Sequence, residues 1–116
     1  YKYGCFNAGV MVINLSKWRE YNIYQLAIDY LKENERIIKL QDQDALNGVL
    51  YNKYLNVNKK WNLTTTDLSM LGNKKLKRIN PSIIHFTGRK KPWDKGHRYQ
   101  YEYFKYLKIT IWNEDQ

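Results

Sequence analysis

Apolar residues recur at helical spacing in the first half of the chain and predict an amphipathic helix. Its apolar positions follow the i, i+3, i+4, i+7, i+8 pattern of a helix with one face on a core: Ile23, Leu26, Ala27, Tyr30 and Leu31. Asn22 followed by Gln25 resembles a capping box at the start, and the pattern ends near Asn34. We therefore predict a helix over residues 22–34.

Two further segments also have helical character. The first begins at Asp42 or Asp44, because a carboxylate stabilises a helix N-terminus, and it continues through Leu50. Gly48 weakens this helix slightly, since glycine has a low helix propensity. The other segment is 98–108, where the aromatic residues recur at helical spacing and are expected to pack on the core.

Short apolar runs predict strands at residues 10–15, 54–57 and 83–86. The first and last are rich in aliphatic residues and are expected to be buried. Residues 58–72 show no clean period and are interpreted as a loop. Residues 89–93 are also predicted to be a loop, because Pro92 disfavours a helical conformation for the residue before it. Strands that alternate with helices predict an α/β architecture.

The composition excludes several classes of protein. With 43% hydrophobic and 16% aromatic residues among 116, the chain is too apolar to be disordered. The single Cys5 excludes an internal disulfide framework and a zinc site built from cysteines. The longest aliphatic run, residues 10–13, is far shorter than the about 20 residues that a membrane-spanning helix needs. No repeat or linker is visible, so one domain is predicted.

The net charge of +9 implies attraction to anions. Nucleic acid, an anionic membrane surface, phosphorylated small molecules and acidic glycans all fit this charge. Residues 98–108 interleave aromatic and basic side chains, as single-strand nucleic-acid binders do. The same residues fit a packed helix better, and no RNP, zinc-finger or helix-turn-helix signature is present. We therefore predict no nucleic-acid partner.

His85 stands at the C-terminal end of a predicted strand and directly before a basic loop. Open α/β sheets bind ligands at that edge. Gly88 would let the backbone approach phosphate oxygens, Lys91 supplies a charge for a diphosphate, and Pro92 stiffens the loop. A neutral imidazole with carboxylates is typical of a Mn²⁺ or Mg²⁺ site. A structural histidine beside a solvated charge run is the alternative.

Asp42-Gln43-Asp44 is the second polar cluster. On an extended segment this spacing places two carboxylates on one face for a metal, but on a helix residues two apart do not face each other. Because a helix is predicted to begin here, the cluster is either an acidic capping turn or a polar contact to a substrate. Residues 7–9 are small and lie at the entrance of a predicted strand, where the backbone can approach a ligand.

Four groups of residues, taken together and in this order, resemble glycosyltransferase family 8. The family includes bacterial lipopolysaccharide galactosyl- and glucosyltransferases and, more distantly, glycogenin. The groups are FNAGVMVINL at 6–15 with Trp18-Arg19, DQDALN at 42–47, Trp61-Asn62, and IHFTG with KPW between 84 and 93.

The resemblance implies a Rossmann-like, GT-A type nucleotide-sugar transferase fold and transfer with retention of anomeric configuration. It implies UDP-glucose or UDP-galactose as donor, Mn²⁺ or Mg²⁺ as cofactor, and a cell-surface glycan or lipid-linked lipopolysaccharide as acceptor. A cytoplasmic location is expected. The basic, aromatic residues 95–112 suit peripheral contact with an anionic membrane.

The resemblance also implies roles for individual residues. His85 would ligate the metal, and the loop with Gly88, Lys91, Pro92 and Trp93 would bind the diphosphate. Asn7 and Ala8 would line the donor-sugar pocket. Asp42 and Gln43 would contact the transferred hexose as the catalytic candidates, with the carbonyl oxygen of Gln43 near the anomeric carbon.

One feature of the family has no counterpart here. In the family the metal-binding Asp-x-Asp and the uridine-binding strands precede the Phe-Asn-Ala-Gly motif, and here only five residues do. Residues 1–116 are thus expected to be the C-terminal portion of a single transferase domain without its nucleotide-binding half. Alone, they are expected to be inactive and to expose a sheet edge. The alternative function is a non-catalytic, basic anion-binding module.

Overall fold

The computed structural model describes residues 4–70, 78–97 and 99–113. The helices are α1 (Leu15–Glu20), α2 (Ile23–Glu33), α3 (Asp42–Val49), α4 (Thr65–Met70) and α5 (Gln100–Leu107). The strands are β1 (Leu63–Thr64) and β2 (Ile84–His85), and Lys59–Trp61 form a 3-10 turn. The chain divides into two compact units, with the boundary between Val57 and Asn58.

In the first unit, α2 confirms the helix that the apolar spacing predicts, and Asn34 is its C-cap. The predicted capping box is wrong. Asn22 lies in the left-handed region with φ of 47°, and its side chain makes no capping hydrogen bond. Ile23, the first residue of the helix, is buried. The helix is therefore stabilised by packing of its apolar face rather than by a side-chain cap.

Helix α3 is also confirmed, and it packs against α2. Ala45 and Leu46 form its buried apolar face. The ring of Tyr30 in α2 lies against the backbone at Gly48, where no side chain intervenes. Gly48 therefore has a packing role as well as a low helix propensity.

The strands predicted at 10–15 and 54–57 are wrong. Residues 11–14 are in no strand, Val12 is fully exposed, and Leu15 already belongs to α1. The side chain of Asn14 caps that helix by accepting from the N–H of Lys17 at 3.0 Å. Leu55, in the other run, is 94% exposed. A strand needs a hydrogen-bonded neighbour, and neither run has one among the described residues.

In the second unit, β1 and β2 pair in parallel, with Leu63 opposite Ile84 and Thr64 opposite His85. The strand predicted at 83–86 is confirmed at its centre, although β2 is half-buried rather than buried. Leu63 is completely buried and forms the core of this unit, with Ile79, Ile84 and Tyr99 packed against it. His85 thus lies at the carboxyl end of a parallel strand, as predicted.

The loop predicted at 58–72 is wrong for most of its length, because it contains the 3-10 turn, β1 and α4; residues 71 and 72 lie outside the described residues. A reciprocal capping box starts α4. The N–H of Asp67 donates to Oγ1 of Thr64 at 3.2 Å, and the Asp67 carboxylate accepts from the N–H and hydroxyl of Thr64 at 3.1 and 2.9 Å. The Thr-x-x-Asp spacing at residues 64–67 is a sequence signal for this start.

The Asp67 carboxylate also forms a salt bridge with Lys59. Partial burial by itself would raise the pKa of Asp67. The hydrogen bonds from Lys59 and Thr64 outweigh that effect, and the pKa lies below its ordinary value. Asp67 therefore ties the 3-10 turn to the start of α4 in its charged form.

Of the packed helix predicted at 98–108, helix α5 confirms residues 100–107 by its inner face, and residue 98 lies outside the described residues. The ring of Tyr103 lies 5.7 Å from that of Trp93 and 6.2 Å from that of Phe86. Tyr101 and Tyr106 are exposed. In the part of the chain that the structure describes, no helix has both the length and the apolar character needed to cross a membrane.

Candidate functional site

Three of the predicted sugar-contact residues meet in the first unit. Oε1 of Gln43, in the first turn of α3, accepts hydrogen bonds from Nδ2 of Asn7 at 3.0 Å and from the backbone N–H of Ala8 at 3.1 Å. A backbone N–H can only donate, so the Gln43 atom that faces Ala8 must be the carbonyl oxygen. The orientation of the Gln43 amide is therefore determined by the backbone.

Asn7 is itself held in a tight turn, because its Oδ1 accepts from the N–H of Gly9 at 3.1 Å. Its other amide atom, Nδ2, donates to Gln43. Asn7 and Ala8 thus converge on one carboxamide, that of Gln43, and this turn brings the backbone close to it.

Asn47 is a residue of this site whose role the sequence interpretation missed. Its Oδ1 accepts from the N–H of Phe6 at 2.8 Å, and its Nδ2 donates to the carbonyl oxygens of Phe6 at 2.9 Å and Gln43 at 2.8 Å. Asn47 is only 5% exposed. Its position four residues after Gln43, on the same helix face, was the available signal.

The acidic residues around Gln43 have different environments. Asp42 is exposed in the first turn of α3. Oδ2 of Asp44 accepts from the N–H groups of Leu40 at 2.7 Å and Lys39 at 2.6 Å. These bonds, from Leu40 first and then Lys39, lower the pKa of Asp44. Asp44 therefore caps the turn before the helix, as one of the two interpretations of this cluster predicts.

His85 forms the centre of the candidate site in the second unit. Its Nδ1 lies 3.0 Å from Oδ1 of Asn62, across the start of the two-stranded sheet. An amide oxygen accepts, so this contact favours the tautomer with hydrogen on Nδ1 and a lone pair on Nε2. Metal-binding histidines have this arrangement, with one ring nitrogen held by an acceptor. His85 therefore fits the role of one metal ligand.

The described residues do not assemble a complete set of metal ligands. In residues 4–70, 78–97 and 99–113, no three His, Cys, Asp or Glu side chains lie close enough together to hold a metal ion. Among the described residues, His85 therefore has fewer than two further His, Cys, Asp or Glu ligands beside it.

The segment after His85 is a structured basic loop. Gly88 has φ of 87°, which favours glycine, and no atoms lie near the position that a Cβ would occupy. Nζ of Lys91 donates weakly to the carbonyl oxygen of Phe86 at 3.5 Å. Pro92 is buried and Trp93 is 58% exposed. The loop therefore presents an open backbone at Gly88 close in sequence to a lysine.

Two residues that the prediction did not include support this loop. The carboxylate of Asp94 accepts from the N–H of Lys91 at 2.6 Å, and the N–H of Asp94 donates to the Lys91 carbonyl oxygen at 3.0 Å. His97 is buried, and its ring packs edge-on against Phe86 at 5.3 Å. Asp94 thus closes the turn that carries Pro92 and Trp93, and His97 supports the residue next to His85.

Comparison with known proteins finds similarity to one family. The sequence model of the family Glycosyl transferase family 8 matches residues 1–96. General stress protein A of Bacillus subtilis is 39% identical over an alignment of 121 positions, which covers 93% of this chain and 42% of that protein. Lipopolysaccharide 1,3-galactosyltransferase of Salmonella typhimurium is 39% identical over an alignment of 97 positions, which covers 78% of this chain and 28% of that protein.

The fold is similar to that of a solved transferase. The galactosyltransferase LgtC, in complex with donor and acceptor sugar analogs, superposes with a TM-score of 0.69 at 29% identity, covering 88% of this chain and 40% of LgtC. This likeness confirms the predicted fold class, α/β of the GT-A transferase type. The chain spans less than half the length of each of these proteins.

Proposed function

Because the chain belongs to glycosyltransferase family 8, we propose that the full-length protein transfers a hexose from UDP-glucose or UDP-galactose to a cell-surface glycan or lipopolysaccharide acceptor, with retention of configuration. The observation that carries this proposal is the convergence of Asn7 and Ala8 on the Gln43 carboxamide. The similarity to a lipopolysaccharide galactosyltransferase supports the class of acceptor.

Gln43 and Asp42 are the proposed contacts to the transferred hexose. The carbonyl oxygen of Gln43 accepts hydrogen bonds from two donors of this chain, which orient its dipole. A dipole that is already oriented can stabilise charge that develops at an anomeric carbon without a cost of reorganisation. Asp42 is exposed in the same helical turn and can accept hydrogen bonds from sugar hydroxyls. Asn7 and Ala8 would complete the donor-sugar pocket.

The basic loop of the second unit is the proposed diphosphate site. Lys91 would pair with the diphosphate, Gly88 would allow close approach of backbone to phosphate oxygens, and Pro92 and Trp93 would shape the loop. His85 would hold Mn²⁺ or Mg²⁺ through Nε2, while Asn62 holds Nδ1. When bound, such an ion neutralises the negative charge of the UDP leaving group.

The chain would be the C-terminal portion of a single transferase domain. It spans 42% or less of the curated relatives described above. We propose that residues 1–116 alone have no transferase activity, because the described residues bring together no group of three His, Cys, Asp or Glu side chains that could hold a divalent cation.

A peripheral membrane contact is proposed for the end of α5 and the residues after it. Tyr106, Ile109, Ile111 and Trp112 are all more than half exposed. Lys105 and Lys108 lie among them, and each basic residue near an anionic lipid surface gains about 1 kcal/mol. Such a contact would place the enzyme at the cytoplasmic face of a membrane, where lipid-linked acceptors are found.

The test is a transfer assay on the full-length protein with UDP-glucose and UDP-galactose in separate reactions containing Mn²⁺. Release of UDP and labelled product are both measured. Gln43→Ala and Asn7→Ala are expected to lower kcat/KM. Gln25→Ala is the matched control, because its amide donates to Asp29 on the surface of α2. UDP binding without turnover by the full-length protein would contradict the proposal and support an anion-binding module.

A further inference from the structure

Helix α3 holds the segment Phe6–Ala8 with two carboxamides that lie one helical turn apart. Gln43 accepts from Asn7 and Ala8, and Asn47 binds both the N–H and the carbonyl oxygen of Phe6. Pairing through both backbone groups of one residue is the way a neighbouring β-strand would bind it. The Asn47 side chain therefore makes the two hydrogen bonds to Phe6 that the backbone of a neighbouring strand would make.

We propose that Asn47 is a positioning residue that sets the register between Asn7-Ala8 and the Gln43 carboxamide, and so shapes the donor-sugar pocket. This inference rests on the proposed function of those three residues. Asn47 itself faces the backbone of Phe6, so its proposed role is to position other residues.

The geometry of Asn47 leaves little freedom. Its third hydrogen bond, from Nδ2 to the carbonyl oxygen of Gln43, ties the side chain to its own helix. Because Asn47 is only 5% exposed, water cannot readily replace a lost partner. The ring of Phe6 packs edge-on against the ring of Tyr54, with the centroids 4.7 Å apart. Phe6 is therefore held by its side chain as well as by its backbone. Phe6 is thus immobilised next to the two donors that reach Gln43.

The position of Asn7 and Ala8 relative to Gln43 is expected to affect the reaction rate more than the stability of the fold. A displacement of about 1 Å at a reacting group can reduce the rate by about 10²-fold. Loss of the Asn47 bonds would let the Phe6 backbone move away from α3, and Asn7 and Ala8 would move with it. The folded protein would then bind UDP normally but would hold the hexose in the wrong place.

The experiment compares Asn47→Asp and Asn47→Ala in the full-length protein with Asn34→Ala. Asp has the size of Asn and can still accept from Phe6, but it places an oxygen against the Phe6 carbonyl oxygen and repels it. Asn34 is a matched control because its Nδ2 also donates to the backbone carbonyl four residues earlier, that of Tyr30, at 2.9 Å. The readouts are kcat/KM for the UDP-sugar, the affinity for UDP alone, and amide hydrogen exchange at Phe6 and Ala8.

Both Asn47 variants are expected to lower kcat/KM by about 10²-fold, to leave UDP affinity unchanged, and to accelerate exchange at Phe6 and Ala8. A purely structural role would instead reduce UDP affinity and activity together, which would overturn the proposal. If Asn47→Ala does not fold, Asn47→Asp decides by the same exchange measurement, and unchanged exchange at Ala8 would refute the proposal.

The failure of this inference differs from that of the proposed function. If Gln43→Ala and Asn7→Ala keep full activity, the proposed function of these residues is wrong. If those variants lose activity and both Asn47 variants keep it, only the positioning role is wrong.

Discussion

The ring of Tyr30 in α2 occupies the space that a side chain at Gly48 of α3 would need. A Cβ at Gly48 would overlap Cε2 and Cζ of that ring, far inside van der Waals contact. Tyr30 is half-buried and lies on the helix face that the apolar spacing predicts. The absence of a side chain at Gly48 therefore determines how closely this ring approaches α3.

Gly48→Ala is predicted to destabilise the protein, although alanine is the better helix former. The gain in helix propensity is about 1 kcal/mol, whereas overpacking of this kind costs about 1–3 kcal/mol. Chemical denaturation of the wild type and the variant measures the net effect. The double variant with Tyr30→Ala serves as the control, since removal of the ring should restore the favourable effect of alanine. A stabilised single variant would contradict the contact.

Acidification is predicted to remove a contribution of Asp44 to stability. The pKa of Asp44 is lowered in the folded state by the N–H groups of Leu40 and Lys39. A group with a lowered folded pKa stabilises fully above its unfolded pKa of about 3.9, and this contribution is lost as the pH falls through the folded value. Asp44→Asn should therefore lose less stability than the wild type between about pH 5 and about pH 3.

Thermal unfolding over that pH range gives the comparison for Asp44. Asp29→Asn, on the surface of α2, is the control for the loss of a carboxylate. If the curves of the wild type and Asp44→Asn run parallel throughout, Asp44 does not act through its charge.

His85→Ala is predicted to abolish most of the metal-dependent transferase activity of the full-length protein. Removal of a group that only hydrogen-bonds to a metal ligand lowers activity by about 10–100-fold. Removal of the ligand itself should lower activity by more than that. The assay measures transfer as a function of Mn²⁺ concentration, and UDP affinity without metal is the control that should not change. A variant with the wild-type rate would exclude His85 as a ligand.

Asn62→Leu is predicted to weaken Mn²⁺ binding by about 10–100-fold, because Nδ1 of His85 would lose the oxygen that orients the ring. Asn62→Asp should restore binding, since a carboxylate oxygen also accepts from Nδ1. Calorimetric titration of the full-length protein with Mn²⁺ is the measurement. Asn58→Ala is a matched control, because Asn58 caps the same 3-10 turn. Equal affinities of Asn62→Leu and the wild type would contradict this role.

Reversal of charge at Lys105 and Lys108 is predicted to reduce binding to anionic vesicles. Each lysine contributes about 1 kcal/mol near such a surface, and exposed Ile111 and Trp112 would add apolar contact. Co-sedimentation with phosphatidylserine vesicles, compared with neutral vesicles, measures the effect, and charge reversal at Lys17 and Arg19 of α1 is the control. Equal sedimentation of the wild type with both kinds of vesicle would exclude the membrane contact.

Elements whose signals are local can be predicted from the sequence alone. Helices α2, α3 and α5 follow from apolar spacing, because residues three and four apart share a helix face in any context. Strand β2 was recognisable as a short aliphatic run that ends at His85, and the spacing of His85, Gly88 and Lys91 placed a basic loop after it. The resemblance to a family could likewise be read from motifs that are contiguous in the chain.

Which apolar runs form strands, and which polar side chains meet, depends on the packing of segments that are distant in the chain. Residues 10–15 have the composition of a strand, but a ladder requires a partner that composition does not specify. The Gln43–Asn7 and Asn47–Phe6 hydrogen bonds join residues 36 and 41 positions apart. Such contacts depend on how whole elements pack, because no periodicity within one element encodes the distance to another. The spacing of residues in the sequence therefore could not predict the Gln43–Asn7 and Asn47–Phe6 hydrogen bonds. The contact of Asn62 with His85 could not be predicted from spacing either.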